Sequence, residues 1–221
     1  MKRTNTRFGF SAARWIASVF GVLGGLGGLV HGIGETLQGN IPPDGIIIDS
    51  WVQGPIATHM GGEPGMTVIP NLLVTGILTI VFSLALAGWA MAFVHRRHGG
   101  LVQLLLSLGM LLVGGGFGPP IIAILASVAG LGIGASHNRW RARLPHGLQR
   151  LLALLWPWLF GVRVADGVFL VIGSLVLVYG FDVNNPDLFT MSFFSVVVLL
   201  LLTLVVGVAF DILKTREPQH V

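Results

Sequence analysis

GGGFGPP, residues Gly114 to Pro120, interrupts an apolar stretch that runs from Leu101 to Ala135. As one helix the stretch would rise about 52 Å, far beyond a bilayer hydrocarbon core of about 30 Å. Glycine and proline clustered at its centre break a helix, so the reading is two short helices, 101–117 and 119–135, folded into a hairpin. A hinge or an outward pore mouth is the alternative use of the same residues, and a plain turn is the simpler one.

Working outward from this hairpin, the chain is 53% hydrophobic and 10% charged, where a soluble domain carries about 25% charged residues. Its mean hydropathy is +0.84. Apolar runs free of charge in their centres predict further spans at 15–33, 68–94, 164–181 and 188–213. The second opens with Ile69-Pro70-Asn71, and proline suits a helix's first turn. The last follows Asn185-Pro186-Asp187, which reads as N-cap, N1 and an acid favourable to the helix dipole. Residues 148–160, LQRLLALLWPWLF, are too short to cross. They read as an interfacial helix with Trp156 and Trp158 at headgroup level, in a belt shared with Trp15, Trp89 and Trp140. Basic residues ahead of the first apolar run resemble an uncleaved signal anchor.

Charge tests the span count. With six spans and a cytoplasmic N-terminus, the inner segments hold Lys2, Arg3, Arg7, Arg14, Arg96, Arg97, Arg139, Arg141, Arg143, Arg150, Arg163, Lys214 and Arg216, all 13 Lys and Arg residues. Fusing the hairpin into one span would send the arginines from 139 to 163 outside, against the positive-inside bias. The fold class expected is therefore an all-α polytopic membrane bundle of six transmembrane helices forming a single domain over 1–221. Both termini are cytoplasmic, and 34–67 form one sizeable extracytoplasmic loop. A bacterial or archaeal plasma membrane is the expected location. Within the loop, PPDG (42–45) is a turn signal, and IIID (46–49) with Trp51 suits either a short strand or a segment lying on the lipid surface. The cations lie in short clusters between apolar runs, NRWRAR (138–143) included, a membrane pattern and not a nucleic-acid stripe.

Two related segments, HGIGE (31–35) at the end of the first span and HMGGE (59–63) in the loop, share the pattern H-x-x-G-E. On a continuing helix His31 and Glu35 share a face one turn apart. His31, Glu35, His59 and Glu63 could together supply four ligands to a divalent metal such as zinc, manganese or iron. Against that, Gly32 and Gly34 weaken the helix, and Pro64 pushes Glu63 away from helical geometry, so HMGGE reads as loop. Solvated acids or a His–Glu pair are the plainer reading, and a partner epitope is another.

Within the spans, Asn71, Thr75, Thr79 and Ser83 form a polar stripe at every fourth residue. Such a stripe bonds neighbouring helices or lines a solute path. Gly21, Gly24, Gly25, Gly28 and Gly32 give small-xxx-small steps for close packing, within the monomer or between protomers or partner proteins. No ionisable residue falls near the middle of a predicted span, and Arg163 with Asp166 reads as an interfacial ion pair. The absence of cysteine excludes disulfides, thiolate metal sites and cysteine nucleophiles. No H-E-x-x-H, P-loop, dinucleotide fingerprint or serine elbow occurs, so an enzyme is the less favoured class. Three functions are expected in order: passage or binding of a small neutral or weakly polar solute, an accessory subunit of a membrane complex, and an outward-facing metal-binding protein or metal-dependent enzyme.

Overall fold

A computed structural model describes residues 11–133 and 145–214. The architecture is nearly all helix: α1 (Ala12–Gln38), α2 (Gly54–Met60), α3 (Leu72–Ala92), α4 (Gly99–Leu112), α5 (Gly118–Leu131), α6 (His146–Val168), α7 (Ser174–Phe181) and α8 (Pro186–Lys214), with strands β1 (Ile47–Asp49) and β2 (Pro64–Met66). A single π-helical turn, Phe169–Gly173, joins α6 to α7 without a break. Four helices are long and apolar enough to cross a membrane, namely α1, α3, the continuous His146–Phe181 and α8. The chain is a membrane-embedded protein. The hairpin helices α4 and α5 are apolar but shorter, 14 residues each.

The packing order follows from small residues. A Cβ on Gly21 would meet Ala90, one on Gly25 would meet Ser83 and Ala87, and one on Gly32 would meet Gly76 and Ile80. α1 and α3 therefore run antiparallel at close approach. On another face of α1, Gly24 meets Ala123 and Pro119, and Gly27 meets Pro119. Gly100 abuts Gly130, which lies near Ala17 and Val94, while Gly114 abuts Glu35. The α4–α5 hairpin thus starts and ends beside the first turns of α1 and turns over beside its last. The five small-xxx-small glycines of α1 all meet groups of this same chain.

The long helix runs parallel to α1: Arg163 lies over Phe20 and Gly167 against Leu23. α8 returns antiparallel and closes the bundle at its base. Asp211 accepts from Ser11 Oγ at 3.0 Å and from the backbone N–H groups of Ala12 and Ala13 at 2.8 and 3.1 Å. Those amides have no partner within their own helix, so a residue 199 positions away from Ala12 caps α1. Trp156 stacks between Phe160 and Phe210 at the same end. We call this the basal end and the opposite one the loop end.

Several sequence-based expectations need correction. Residues 148–160 are not a separate interfacial helix, because His146–Phe181 is one helix of 36 residues. Pro157 lies inside it, where it removes one backbone donor and crowds the preceding turn without ending the helix. The expectation stopped at Arg163, taken as a membrane-edge charge. Arg163 instead lies halfway along that helix and is fully buried, its charge met by Asp166 at 3.3 Å and by the face of Phe20 at 4.9 Å. An ionisable pair therefore does sit inside the bundle. Trp156 is buried in an aromatic stack, whereas Trp158 is 78% exposed, so of the two only Trp158 faces outward from the bundle.

α1 also runs past residue 33 to Gln38. Glycines 32 and 34 are there for close approach, to α3 and to Trp51, and the packing outweighs their low helix propensity. Pro70 precedes α3, and Asn71 caps it by accepting from Val74 N–H at 3.1 Å. The segment read as one loop contains α2 and a two-stranded antiparallel hairpin that pairs Ile48 with Gly65. The NRWRAR cluster with Trp140, together with Lys2, Arg3, Arg7 and Arg216, lies outside the described residues.

Candidate functional site

The site grows from the loop end of α1. The β-hairpin is pinned there by Gln38, whose side-chain amide donates to the carbonyls of Asp49 and Ser50 at 3.0 Å, and by Trp51, whose indole donates to Val30 O at 3.2 Å. Ser50 N–H donates to Glu63 O at 3.2 Å and Trp51 N–H to Gly62 O at 2.9 Å. These bonds bring residue 50 and residue 63 together over the α1 terminus.

What they assemble is a buried polar chain. His31 Nε2 lies 3.3 Å from Glu63 Oε2, and His31 Nδ1 lies 2.9 Å from Ser50 Oγ. Ser50 Oγ lies 3.0 Å from Glu35 Oε1. Thr79 Oγ1 lies 3.2 Å from Glu35 Oε2 and 2.7 Å from Val113 O. Glu35, Ser50 and Thr79 are fully buried, His31 is 3% exposed and the Glu63 side chain is 30% exposed. Buried polar groups of this kind are costly unless bonded, and every one here has a partner.

The GGGFGPP turn seals the chain from one side. A Cβ on Gly114 would overlap the Glu35 carboxylate and one on Gly116 would overlap the His31 ring. Both glycines have positive φ, 111° and 72°, a conformation that favours glycine. The turn is anchored by Phe117 N–H donating to Pro64 O at 3.3 Å and by the Thr67–Val113 bridge. Its glycines bring backbone against two ionisable side chains, a role beyond making a turn.

On the other side of His31 lies a partly open cavity of about 240 Å³, lined by α1, α2, α5, the π-turn, the start of α7 and α8. His31 and Glu63 form a polar wall, and Phe117, Val171, Phe189 and Phe193 are among the apolar residues around them. Along α1 it extends from Leu23 to His31, about 12 Å of helix. π-turns recur at functional sites, and this one presents Leu170 and Val171 to the cavity while Ser174 Oγ donates back to Leu170 O at 2.6 Å.

The four proposed metal ligands do not converge. His31, Glu35 and Glu63 join the chain, but His59, at the end of α2, faces Asp182 at 3.5 Å. The expectation of HMGGE as pure loop also fails: His59 and Met60 are helical, and the turn follows through Gly61 and Gly62 to Glu63 at φ 54°. Glu63 thus points back to α1 while His59 points to the start of the α7–α8 connection. Among the described residues, no group of three or more His, Asp or Glu side chains is placed to hold a metal ion.

The α3 stripe does not line this cavity. Thr75, Thr79 and Ser83 are fully buried against neighbouring elements. Thr75 Oγ1 meets Thr67 Oγ1 at 2.9 Å and Ser83 Oγ meets Met110 Sδ at 3.2 Å, while Asn71 is the helix cap. Sequence reasoning missed Ser50, which no periodicity marks, and the apposition of Gly114 and Gly116 to the two α1 side chains. Comparison with protein-family models, with curated proteins and with solved structures finds no match to this chain.

Proposed function

We propose that this chain is a six-span membrane protein that binds, and in one mode passes, a small molecule with a largely apolar body and one hydrogen-bonding group. The observation that carries the reading is the His31–Glu63 pair set in the wall of a largely apolar cavity, whose other polar side chains are Ser174 and Thr190. Ionisable groups at membrane depth are costly and mark functional sites, and pockets with a few convergent polar groups are the usual form of a small-molecule site.

The six-span count is supported by the hairpin's reach. Gly130 lies beside Ala17 and Gly114 beside Glu35, and the α1 interval between them (35 − 17 = 18 steps) is about 27 Å of helix. Sidedness is supported by charge. Arg14, Arg96, Arg97, Arg150 and Lys214 lie at the basal end, while Glu35, Asp44, Asp49, Glu63, Asp182 and Asp187 lie at or near the loop end. The positive-inside bias then makes the basal end cytoplasmic, in the plasma membrane of a bacterium or archaeon. An accessory role loses its main support, since the α1 glycines meet this chain's own groups.

The test is photolabelling in nanodiscs with a diazirine-bearing medium-chain alcohol. Label concentrated on peptides around Pro64, Phe117 and Phe189, and lost in Val171→Phe, is the expected result. Label spread evenly over lipid-facing residues and unchanged in Val171→Phe would overturn the cavity reading. Sidedness is read separately from single-cysteine reporters in this cysteine-free chain: Asp49→Cys and Arg97→Cys should react from opposite compartments.

A further inference from the structure

The polar chain behind the cavity can be counted hydrogen by hydrogen. It has five contacts in series: Glu63–His31, His31–Ser50, Ser50–Glu35, Glu35–Thr79 and Thr79–Val113 O. Each needs one hydrogen between its atoms. The Val113 carbonyl can only accept, and its 2.7 Å contact is the shortest of the five, so it takes the single hydroxyl hydrogen of Thr79. The 3.2 Å contact between Thr79 Oγ1 and Glu35 Oε2 is then completed by a proton on Glu35. Ser50 has one hydrogen as well, and gives it to Glu35 Oε1. His31 Nδ1–H therefore donates to Ser50. The last contact, at 3.3 Å, is completed by a proton on His31 Nε2 or on Glu63.

The two ways of filling that last contact share one property. An imidazolium facing a Glu63 carboxylate, with Glu35 neutral, sums to zero charge, and so does the form in which all three are neutral. Moving one proton from His31 Nε2 to Glu63 Oε2 interconverts them. Any other inventory either breaks a contact or leaves net charge in a buried site, and both are costly. Among the described residues no Lys or Arg forms an ion pair with this polar chain to compensate a surplus of negative charge: α3, α4, α5 and the π-turn contribute no titratable side chain, and Arg163 of α6 is paired with Asp166 beside Phe20. The loops contribute Asp44 and Asp49, the latter beside Gly62, α2 contributes His59 paired with Asp182, α7 contributes an exposed Tyr179, and α8 carries Asp187 in its first turn.

We propose that Glu63, His31, Ser50, Glu35 and Thr79 form a proton-binding site, storing one proton on Glu35 and exchanging another between His31 and Glu63 at the cavity wall. The chain ends at a carbonyl, so it is a store with one open end and not a wire across the membrane. An occupant that hydrogen-bonds His31 or Glu63 changes which of the two holds the exchanging proton, so occupancy and the position of that proton are coupled, with no net uptake. That coupling rests on the cavity reading; the stored proton does not.

The experiment is infrared spectroscopy of the purified full chain in nanodiscs at neutral pH, comparing wild type with Glu35→Gln. A buried carboxylic-acid carbonyl band present in wild type and lost in Glu35→Gln is the expected result. No band difference would overturn the proposal, because it would mean Glu35 is ionised. A glutamine presents the same pattern as the protonated acid, with Oε1 accepting from Ser50 and Nε2–H donating to Thr79. The variant should therefore fold and keep its unfolding midpoint, and a Glu35→Gln that fails to fold also overturns the proposal. Glu35→Asp, too short to span both partners, should lose stability. Photolabel failure with the band intact would sink the cavity reading alone, and an absent band with specific photolabel would sink this one alone.

Discussion

Arg163 and Asp166 allow a double-mutant cycle with a definite sign. Arg163 is fully buried and faces Asp166 at 3.3 Å, and Asp166 accepts from Ser192 Oγ at 2.9 Å. Asp166→Leu leaves a guanidinium inside the bundle with only the Phe20 face for company. Removing one partner of a buried pair costs about 3–5 kcal/mol. Arg163→Met costs less, about 1–3 kcal/mol, because Asp166 keeps Ser192 and is 17% exposed. The double variant Arg163→Met, Asp166→Leu removes both charges and fills the same space, which for buried pairs is commonly neutral or stabilising. We expect it within about 1 kcal/mol of wild type, so the single-variant losses should fail to add by about 3 kcal/mol or more. Equilibrium unfolding in mixed micelles, followed by far-ultraviolet circular dichroism, reads all four corners. Additive losses, with the double variant the worst of the set, would refute the claim that the pair stabilises by mutual neutralisation.

Other expectations follow from close approach and from hydrogen-bond count. A Cβ on Gly28 would overlap Ser83 and Met110, whereas one on Gly88 meets nothing within 4 Å. Gly28→Leu should therefore separate α1 from α3 and destabilise, while Gly88→Ala should stabilise by about 0.5–1 kcal/mol through helix propensity, both measured by unfolding midpoint. Thr79→Val should cost about 1–3 kcal/mol by leaving Val113 O without its donor, yet leave cavity photolabelling unchanged; altered labelling would return the α3 stripe to the solute site. His95, in the α3–α4 connection, has its imidazole pushed below the usual histidine range by burial first and then by Arg14 and Arg96. A depressed value means that protonation favours the unfolded chain, so this contribution is present above about pH 6.5 and is lost as pH falls. Histidine-selective NMR should show the His95 titration moving up in Arg96→Gln.

Much of the helical frame is legible in local chemistry. Asn185 ahead of Pro186 announces the start of α8, and its side chain accepts from Leu188 N–H at 3.1 Å. GGGFGPP announces a reversal and the chain turns there. What misled was charge and glycine taken one segment at a time. Arg163 reads as a membrane edge because nothing nearby in sequence shows that Phe20 and Ser192 will meet it and Asp166 in the bundle. Gly32 and Gly34 read as a fraying helix end because their partners, α3 and Trp51, lie outside the segment. The pairing of HGIGE with HMGGE is half right for a reason that spacing cannot give: Glu63 at positive φ turns back to His31, and His59 one helical turn earlier does not. Ser50 is invisible in sequence, because its role depends on a hairpin pinned by Gln38 and Trp51.

The attachment of Asp211 to the first turn of α1 has a consequence for the order of biogenesis. During translation the amides of Ala12 and Ala13 emerge roughly two hundred residues before their acceptor exists, many seconds at ordinary ribosomal rates. The first helix must therefore enter the bilayer with its start unlatched, and the clasp closes only when the last helix arrives.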